Sequence, residues 1–353
     1  VFGSFLQAKN KTQRNAEAKI ILKCFIVFYL GVSTNVKIIQ CYSNFIAQFC
    51  IKLTFIKMNQ EQKKWTYLFV LAIVWGSSFI LIKKGLVALT PLQLGSLRTV
   101  ISSLFIFIIG YKSLKTILSH QWKWIVLSGF IGTFLPAFLF AFAETEVDSG
   151  IVSILNALVP LNATLIGLAV FKIASTKIQM LGVMLGFLGA SMLIFNSMEL
   201  NPDQNYLYAG FVVLATVMYG FNVNIIKHFL QDVKPLAIAT GNFIAIFIPA
   251  FLVLVFSDFF SSQTYEHEAV YASIGYVAIL AVFGTVMAKI IFNNLIQISS
   301  PVFASSVTYL MPLVALLWGL ADGELFGLDQ GLASLLILCG IYLANKKAKK
   351  NRS

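Results

Sequence analysis

Residues 65–195 and 208–346 of this chain read as one unit written twice. Val74-Trp75-Gly76-Ser77-Ser78-Phe79-Ile80-Leu81-Ile82-Lys83 aligns with Met218-Tyr219-Gly220-Phe221-Asn222-Val223-Asn224-Ile225-Ile226-Lys227, so an aromatic-Gly pair and an Ile-Lys pair recur in register. Pro-Leu follows each lysine at the same distance, as Pro91-Leu92 and Pro235-Leu236, 144 positions apart. Further on, Gly132-Thr133 matches Gly284-Thr285, and Leu158-Val159-Pro160-Leu161 matches Leu310-Met311-Pro312-Leu313. Here the spacing is 152, because a connection in the second unit is longer. Self-similarity at a fixed period means two copies of one arrangement.

The unit is built from apolar runs of membrane length. With 58% hydrophobic and 11% charged residues, the chain has less than half the charge of an ordinary soluble domain. Runs able to cross ~30 Å of hydrocarbon fall at 65–82, 91–111, 122–142, 149–171, 178–196, 206–227, 236–256, 270–293, 299–319 and 327–345. The expected fold is an all-α polytopic membrane protein: about ten transmembrane helices as two inverted five-helix repeats. An odd number of spans per unit forces the inversion. Inverted repeats of membrane helices are a mark of secondary transporters.

Charge placement gives the expected orientation. If the chain enters from the cytoplasm at Lys63-Lys64, the inside connections carry Lys112, Lys115, Lys123, Lys172, Lys177, Lys227 and Lys234, and the basic tail follows. Acidic residues dominate the outside connections, among them Glu144, Glu146, Asp148, Asp258, Asp322 and Glu324. That is a positive-inside bias, with both ends of the mature chain in the cytoplasm. Lys83-Lys84 are the exception, at the outer end of the first span. The net charge of +12 belongs to this collar and to the first 57 residues, and does not indicate a nucleic-acid partner.

Residues 1–57 differ from the rest. They hold eight of the basic residues against a single acid, Glu17, and three of the four cysteines. The first methionine is Met58. The segment 1–57 is expected to be a dubious extension: an upstream artefact, with translation starting at Met58, or a targeting segment. The repeats then occupy 58–200 and 201–353, the second with the basic tail. The cysteines lack zinc or redox spacing.

Several residues within the spans have both a structural and a functional reading. Pro91 and Pro235 open spans, where proline is favoured. Pro160 and Pro312 sit mid-span, where proline removes a helical hydrogen bond and frees a carbonyl; they either kink a helix or help to form a cavity. Their neighbours Asn156, Asn162, Ser305, Ser306, Thr308 and Tyr309 are polar. Gly182, Gly186 and Gly189-Ala190 form a small-residue stripe that close helix packing explains. Arg98 lies about two turns inside its helix. It either faces an anionic substrate group, or snorkels or pairs with a carbonyl or Glu144. Lys289 is about a turn from its helix end, where snorkelling competes with function. Asn222 aligns with Ser78, so both should face the pseudo-two-fold axis where transporters hold substrate; Trp75 and Tyr219 share one repeat position, where each either packs on a substrate or anchors a helix face. Asn224 and Asn242 lie in the same two spans. No metal cluster, phosphate-binding glycine loop or paired carboxylates occur within the spans. No cofactor or metal is expected, and catalysis is not.

These residues carry a resemblance. The chain resembles the EamA-type branch of the drug/metabolite transporter superfamily, from about Trp65 to the tail. The resemblance rests on the two five-span units, on Trp75-Gly76, Lys83, Pro91 and Arg98, on Asn156 and Pro160, and on Gly323-Glu324. One departure is Phe171-Lys172, where such proteins often have Gly-Glu. The resemblance implies a central cavity and carriage of small metabolites, often amino acids, often outward. The expected function is therefore alternating-access transport of a small polar metabolite across the inner membrane. Trp75, Ser77, Ser78, Arg98, Asn156, Pro160, Tyr219, Asn222, Tyr309 and Pro312 are the candidate substrate-binding residues. An exporter of hydrophobic drugs is the nearest alternative; a lipid-modifying enzyme or a membrane scaffold are alternatives of other classes. The expected partners are a small-molecule substrate and the bilayer. Oligomeric state is open, and a monomer fits.

Overall fold

A computed structural model describes residues 59–172, 177–200, 202–299 and 301–344. The segment 1–57, the Met58 start and the tail lysines from Lys346 onward lie outside the described residues. Gln60 onward forms one compact unit. The described residues are overwhelmingly helical and contain no strand.

Among them, nine helices are long and apolar enough to span a membrane. In order these are Gln60–Gly85, Pro91–Thr116, Ser119–Ala143, Ser149–Ala169, Met180–Leu200, Tyr206–Phe229, Pro235–Phe256, Val270–Ile298 and Phe303–Ala321. A tenth, Leu328–Ala344, is apolar but has 17 residues, about 25 Å of helix. The protein is an all-α polytopic membrane protein.

Local sequence sets the ends. Thr90 caps the second span: its Oγ1 accepts from the Gln93 amide at 3.3 Å, and Gln93 Oε1 accepts from the Thr90 amide at 2.9 Å. Pro91 and Pro235 open their helices, where the missing N–H costs nothing. The ninth span ends in a Schellman turn. Gly323 takes φ +88°, and the Glu324 and Gly323 amides donate to the Gly319 and Leu320 carbonyls, the pattern that satisfies a helix's last acceptors.

Four spans are irregular, in repeat-related pairs. The third and eighth contain π segments, Phe130–Phe134 and Leu280–Met287. These hold the matched Gly132-Thr133 and Gly284-Thr285. In the third span the cause is Pro136. It has no N–H to return to the Gly132 carbonyl four residues back, so that carbonyl is released. In the eighth, the Ala288 amide donates to Phe283 and Thr285 carbonyls and leaves the Gly284 carbonyl free for another partner. The fourth and ninth spans are broken. The fourth is Ser149–Asn156 then Val159–Ala169. The ninth passes through Ser306–Tyr309, a 3-10 turn, into Met311–Ala321. Pro160 and Pro312 stand in the first turn of each second half rather than mid-helix, because the chain breaks one turn ahead of them.

Packing follows the same pseudo-symmetry. Gly76 of the first span meets Met311 and Val314 of the ninth so closely that a Cβ would lie 2.9 Å from the Met311 carbonyl oxygen. Its repeat partner Gly220 meets Asn162 and Ala163 of the fourth, where a Cβ would lie 2.9 Å from the Ala163 nitrogen. Trp75 packs edge-on to Phe292 at 4.9 Å, and Tyr219 stacks on Phe140 at 6.1 Å; these pairs are themselves repeat-related. The fifth and tenth helices touch backbone to backbone through Gly182, Gly186, Gly189 and Gly340. The small-residue stripe is thus a packing surface.

Candidate substrate cavity

The irregular spans surround one cavity of about 120 Å³, room for on the order of ten waters. The first span contributes Trp75, Ser78 and Phe79, the second Arg98, and the sixth Tyr219 and Asn222. The π segments contribute Gly132, Thr133, Gly284 and Thr285. The broken spans contribute Asn156 and Thr308. The two prolines act at a distance here. Asn156 and Thr308 each lie four residues before a proline, where an unbroken helix would have placed the lost N–H bond.

Of the sequence candidates, the structure brings together Trp75, Ser78, Arg98, Asn156, Tyr219 and Asn222 on the cavity wall. Ser77, Pro160, Tyr309 and Pro312 do not line it. Ser77 Oγ accepts a hydrogen bond from Trp318 Nε1 at 3.0 Å, tying the first span to the ninth. Tyr309 packs against the hydrophobic core, and its neighbours Val307 and Thr308 face the cavity instead. Pro160 and Pro312 are both buried in helix packing. Asn224 and Asn242 are spent on backbone: they donate to the Ala163 carbonyl at 3.0 Å and the Ile125 carbonyl at 2.6 Å.

The wall groups reach across the repeats. Trp75 Nε1 donates to the released Gly284 carbonyl at 2.9 Å. Arg98 Nε donates to Thr285 Oγ1 at 2.7 Å. In the other direction, Lys289 Nζ donates to the Gly132 carbonyl at 3.0 Å and to Thr133 Oγ1 at 3.1 Å. Lys289 therefore does not snorkel; it crosses the bundle to the carbonyl that Pro136 freed. Asn222 Oδ1 accepts from Ser128 at 2.6 Å and lies over Gly132, where a Cβ would collide with it. Ser78 lies over Gly284 in the same way. Sequence reasoning missed Thr133 and Thr285 as wall residues and left Lys289 and Thr308 off the candidate set; Pro136, four residues after Gly132, is the available signal for the third span.

Beyond one end of the wall stands an ion cluster. Lys83 directly follows Ile82, which lines the wall. Its Nζ lies 2.8 Å from Glu324 Oε1 and 3.3 Å from Asp322 Oδ2, and Lys84 pairs with Asp322. Burial alone would raise the Asp322 carboxyl; Lys84 and Lys83 outweigh it and hold it below the usual range. Glu324 also accepts from the Ser149 and Gly150 amides at 3.1 and 3.0 Å. It thus sits at the positive end of the fourth span. The exceptional lysines at this end have their partners on the ninth span's Schellman turn.

Among the described residues the repeat-related end has no such cluster. Lys227 donates to the Ile296 and Ser299 carbonyls at 3.3 and 2.9 Å. The segment matching Asp322-Gly323-Glu324 is Val170-Phe171-Lys172, without an acid. Phe171 touches His228 at 5.5 Å, so the segment stands beside the Lys227 helix end as its counterpart stands beside Lys83.

The two repeats, each with matched irregular spans, enclose a largely apolar cavity set with a few polar groups. Residues 62–195 and 207–346 each match the EamA-like transporter family, and the chain belongs to that family. It is similar to the Bacillus subtilis protein named "Uncharacterized transporter YoaV", 27% identical over 77% of this chain and 92% of that one. It is similar also to the Escherichia coli K12 "Uncharacterized inner membrane transporter YedA", 27% identical over 78% and 88%. A solved crystal structure shares the fold with TM-score 0.56 at 14% identity, over 79% of this chain and 95% of that one.

Proposed function

We propose that this membrane transporter carries a small, polar, amino-acid-like metabolite across the inner membrane by alternating access. The carrying observation is the cavity where the repeats meet, a largely apolar wall set with a few polar groups, with each repeat's side chains bonded to the other's π segment. Rocking one half against the other would break and remake those cross-repeat bonds, which is how such folds move a central site between two faces. The cavity's size supports a small solute. The inner-membrane location is supported by the name of the E. coli relative, and the outward direction by the family resemblance.

The orientation follows from the charge bias, with the basic tail and Lys227 on the cytoplasmic face and Lys83 on the outer one. Single cysteines at positions 350 and 262, in a cysteine-free background, check it in intact cells. An impermeant thiol reagent added outside should label position 262 and spare 350; labelling of 350 would reverse the topology. Flux of small metabolites into proteoliposomes tests the activity itself, and its absence with folded protein would end the transporter reading.

A further inference from the structure

The cavity wall holds two cations and no acid. Arg98 and Lys289 both line it, and among the described residues no Asp or Glu does. Lys289 is only 6% exposed. Neither cation joins an ion pair among the described residues. Their partners are neutral: a hydroxyl for Arg98, a hydroxyl and a carbonyl for Lys289. The one buried carboxylate nearby, Glu144, accepts from Ser149 Oγ at 3.0 Å and is not on the wall. Charges at membrane depth are costly unless paired or hydrated.

The repeat sharpens this. The wall is otherwise pseudo-symmetric, with Trp75 matched to Tyr219, Ser78 to Asn222, and Gly132-Thr133 to Gly284-Thr285. The cations break that pattern. By the same spacings, Arg98 corresponds to Asn242 and Lys289 to Ala137. Neither charge is needed to build the repeat, since the other copy is built without it. Each is added on the wall, from opposite repeats.

We propose that the substrate is a net-negative organic molecule whose acidic groups are held between Arg98 and Lys289. This deepens the transporter reading and rests on it. Arg98 offers a planar fork suited to a carboxylate, and Lys289 a point charge. A dianion satisfies both; a zwitterion leaves one basic group unmatched, a neutral molecule leaves both, and a cation is repelled by both.

The test uses the full chain in sealed proteoliposomes with succinate, glutamate, glutamine and putrescine, which differ in charge at similar size. Saturable accumulation is expected for succinate and, more weakly, glutamate, with glutamine and putrescine excluded. Lys289→Met should shift the succinate-to-glutamate preference toward glutamate by about tenfold, the value of one charge-assisted contact. A purely structural lysine would lower both fluxes together, which would overturn its assignment. Accumulation of glutamine or putrescine without the two acids would overturn the anion proposal and leave the transporter reading standing. Accumulation of none, by protein that melts cooperatively, would overturn both.

Discussion

Glu324→Gln is expected to loosen the ion cluster at the Lys83 end and shift the protein toward the state open on that face. Glu324 is almost fully buried and joins three things at once: Lys83 on the first span and two amides at the start of the fourth. Removing this buried charge leaves Lys83 with Asp322 alone, at 3.3 Å. The full penalty for a buried pair is about 3–5 kcal/mol, but Lys83 is a third exposed and water recovers part of it. A remaining effect of ~1–3 kcal/mol changes the balance of states by roughly fivefold to a hundredfold. A single cysteine at position 82, one residue before Lys83, reports it. Its labelling by an impermeant reagent from the Lys83 face should quicken about tenfold in Glu324→Gln. Adding Lys172→Glu should place an acid near Lys227 on the opposite face and draw the balance back. An unchanged labelling rate in Glu324→Gln would show that the ion cluster does not hold this end shut.

The second large effect concerns Arg98. A guanidinium at this depth costs at least ~2.5–3.5 kcal/mol even on the lenient insertion scale, and here only one hydroxyl is seen to answer it. Arg98→Gln should lower transport per folded molecule by about tenfold or more, as expected when one charge-assisted contact to a substrate is lost. Arg98→Lys should recover only part, since lysine lacks the fork. Folded protein should be preserved in both, because Thr285 keeps a partner in its own helix at the Leu280 carbonyl, 3.0 Å away. If Arg98 is structural instead, folded yield and activity fall together in both variants. Flux normalised to folded protein in proteoliposomes separates the two.

Much of the architecture was legible in the sequence, and the reason is the repeat. Apolar runs fixed the spans to within a few residues. The match of Trp75 to Tyr219 and Ser78 to Asn222 located the inner face of the first and sixth spans, because equivalent residues must meet the same pseudo-axis. The prolines misled by one turn. Pro160 and Pro312 carry both a kink and a cavity reading in sequence; proline acts on the carbonyl four residues earlier, and it is Asn156 and Thr308 that line the cavity. The same rule applied to Pro136 would have pointed to Gly132 and to the released carbonyl that Lys289 takes. Ser77 was beyond sequence reasoning, because its partner Trp318 is 241 positions away. The polar residues Asn224 and Asn242 look no different in sequence from Asn222. Only the packing decides which asparagine meets a backbone carbonyl and which meets the cavity.

The central claim is that this cavity is the transport path, exposed to each face in turn. A single cysteine replacing Ser78, on the wall against Gly284, tests it most directly in a cysteine-free chain. An impermeant thiol reagent is applied to one face of sealed vesicles and then, separately, to the other. The account predicts labelling from both faces, slowed by substrate, and loss of flux in step with the labelled fraction. Full flux through a fully labelled protein, or a cysteine reachable from neither face, would contradict it.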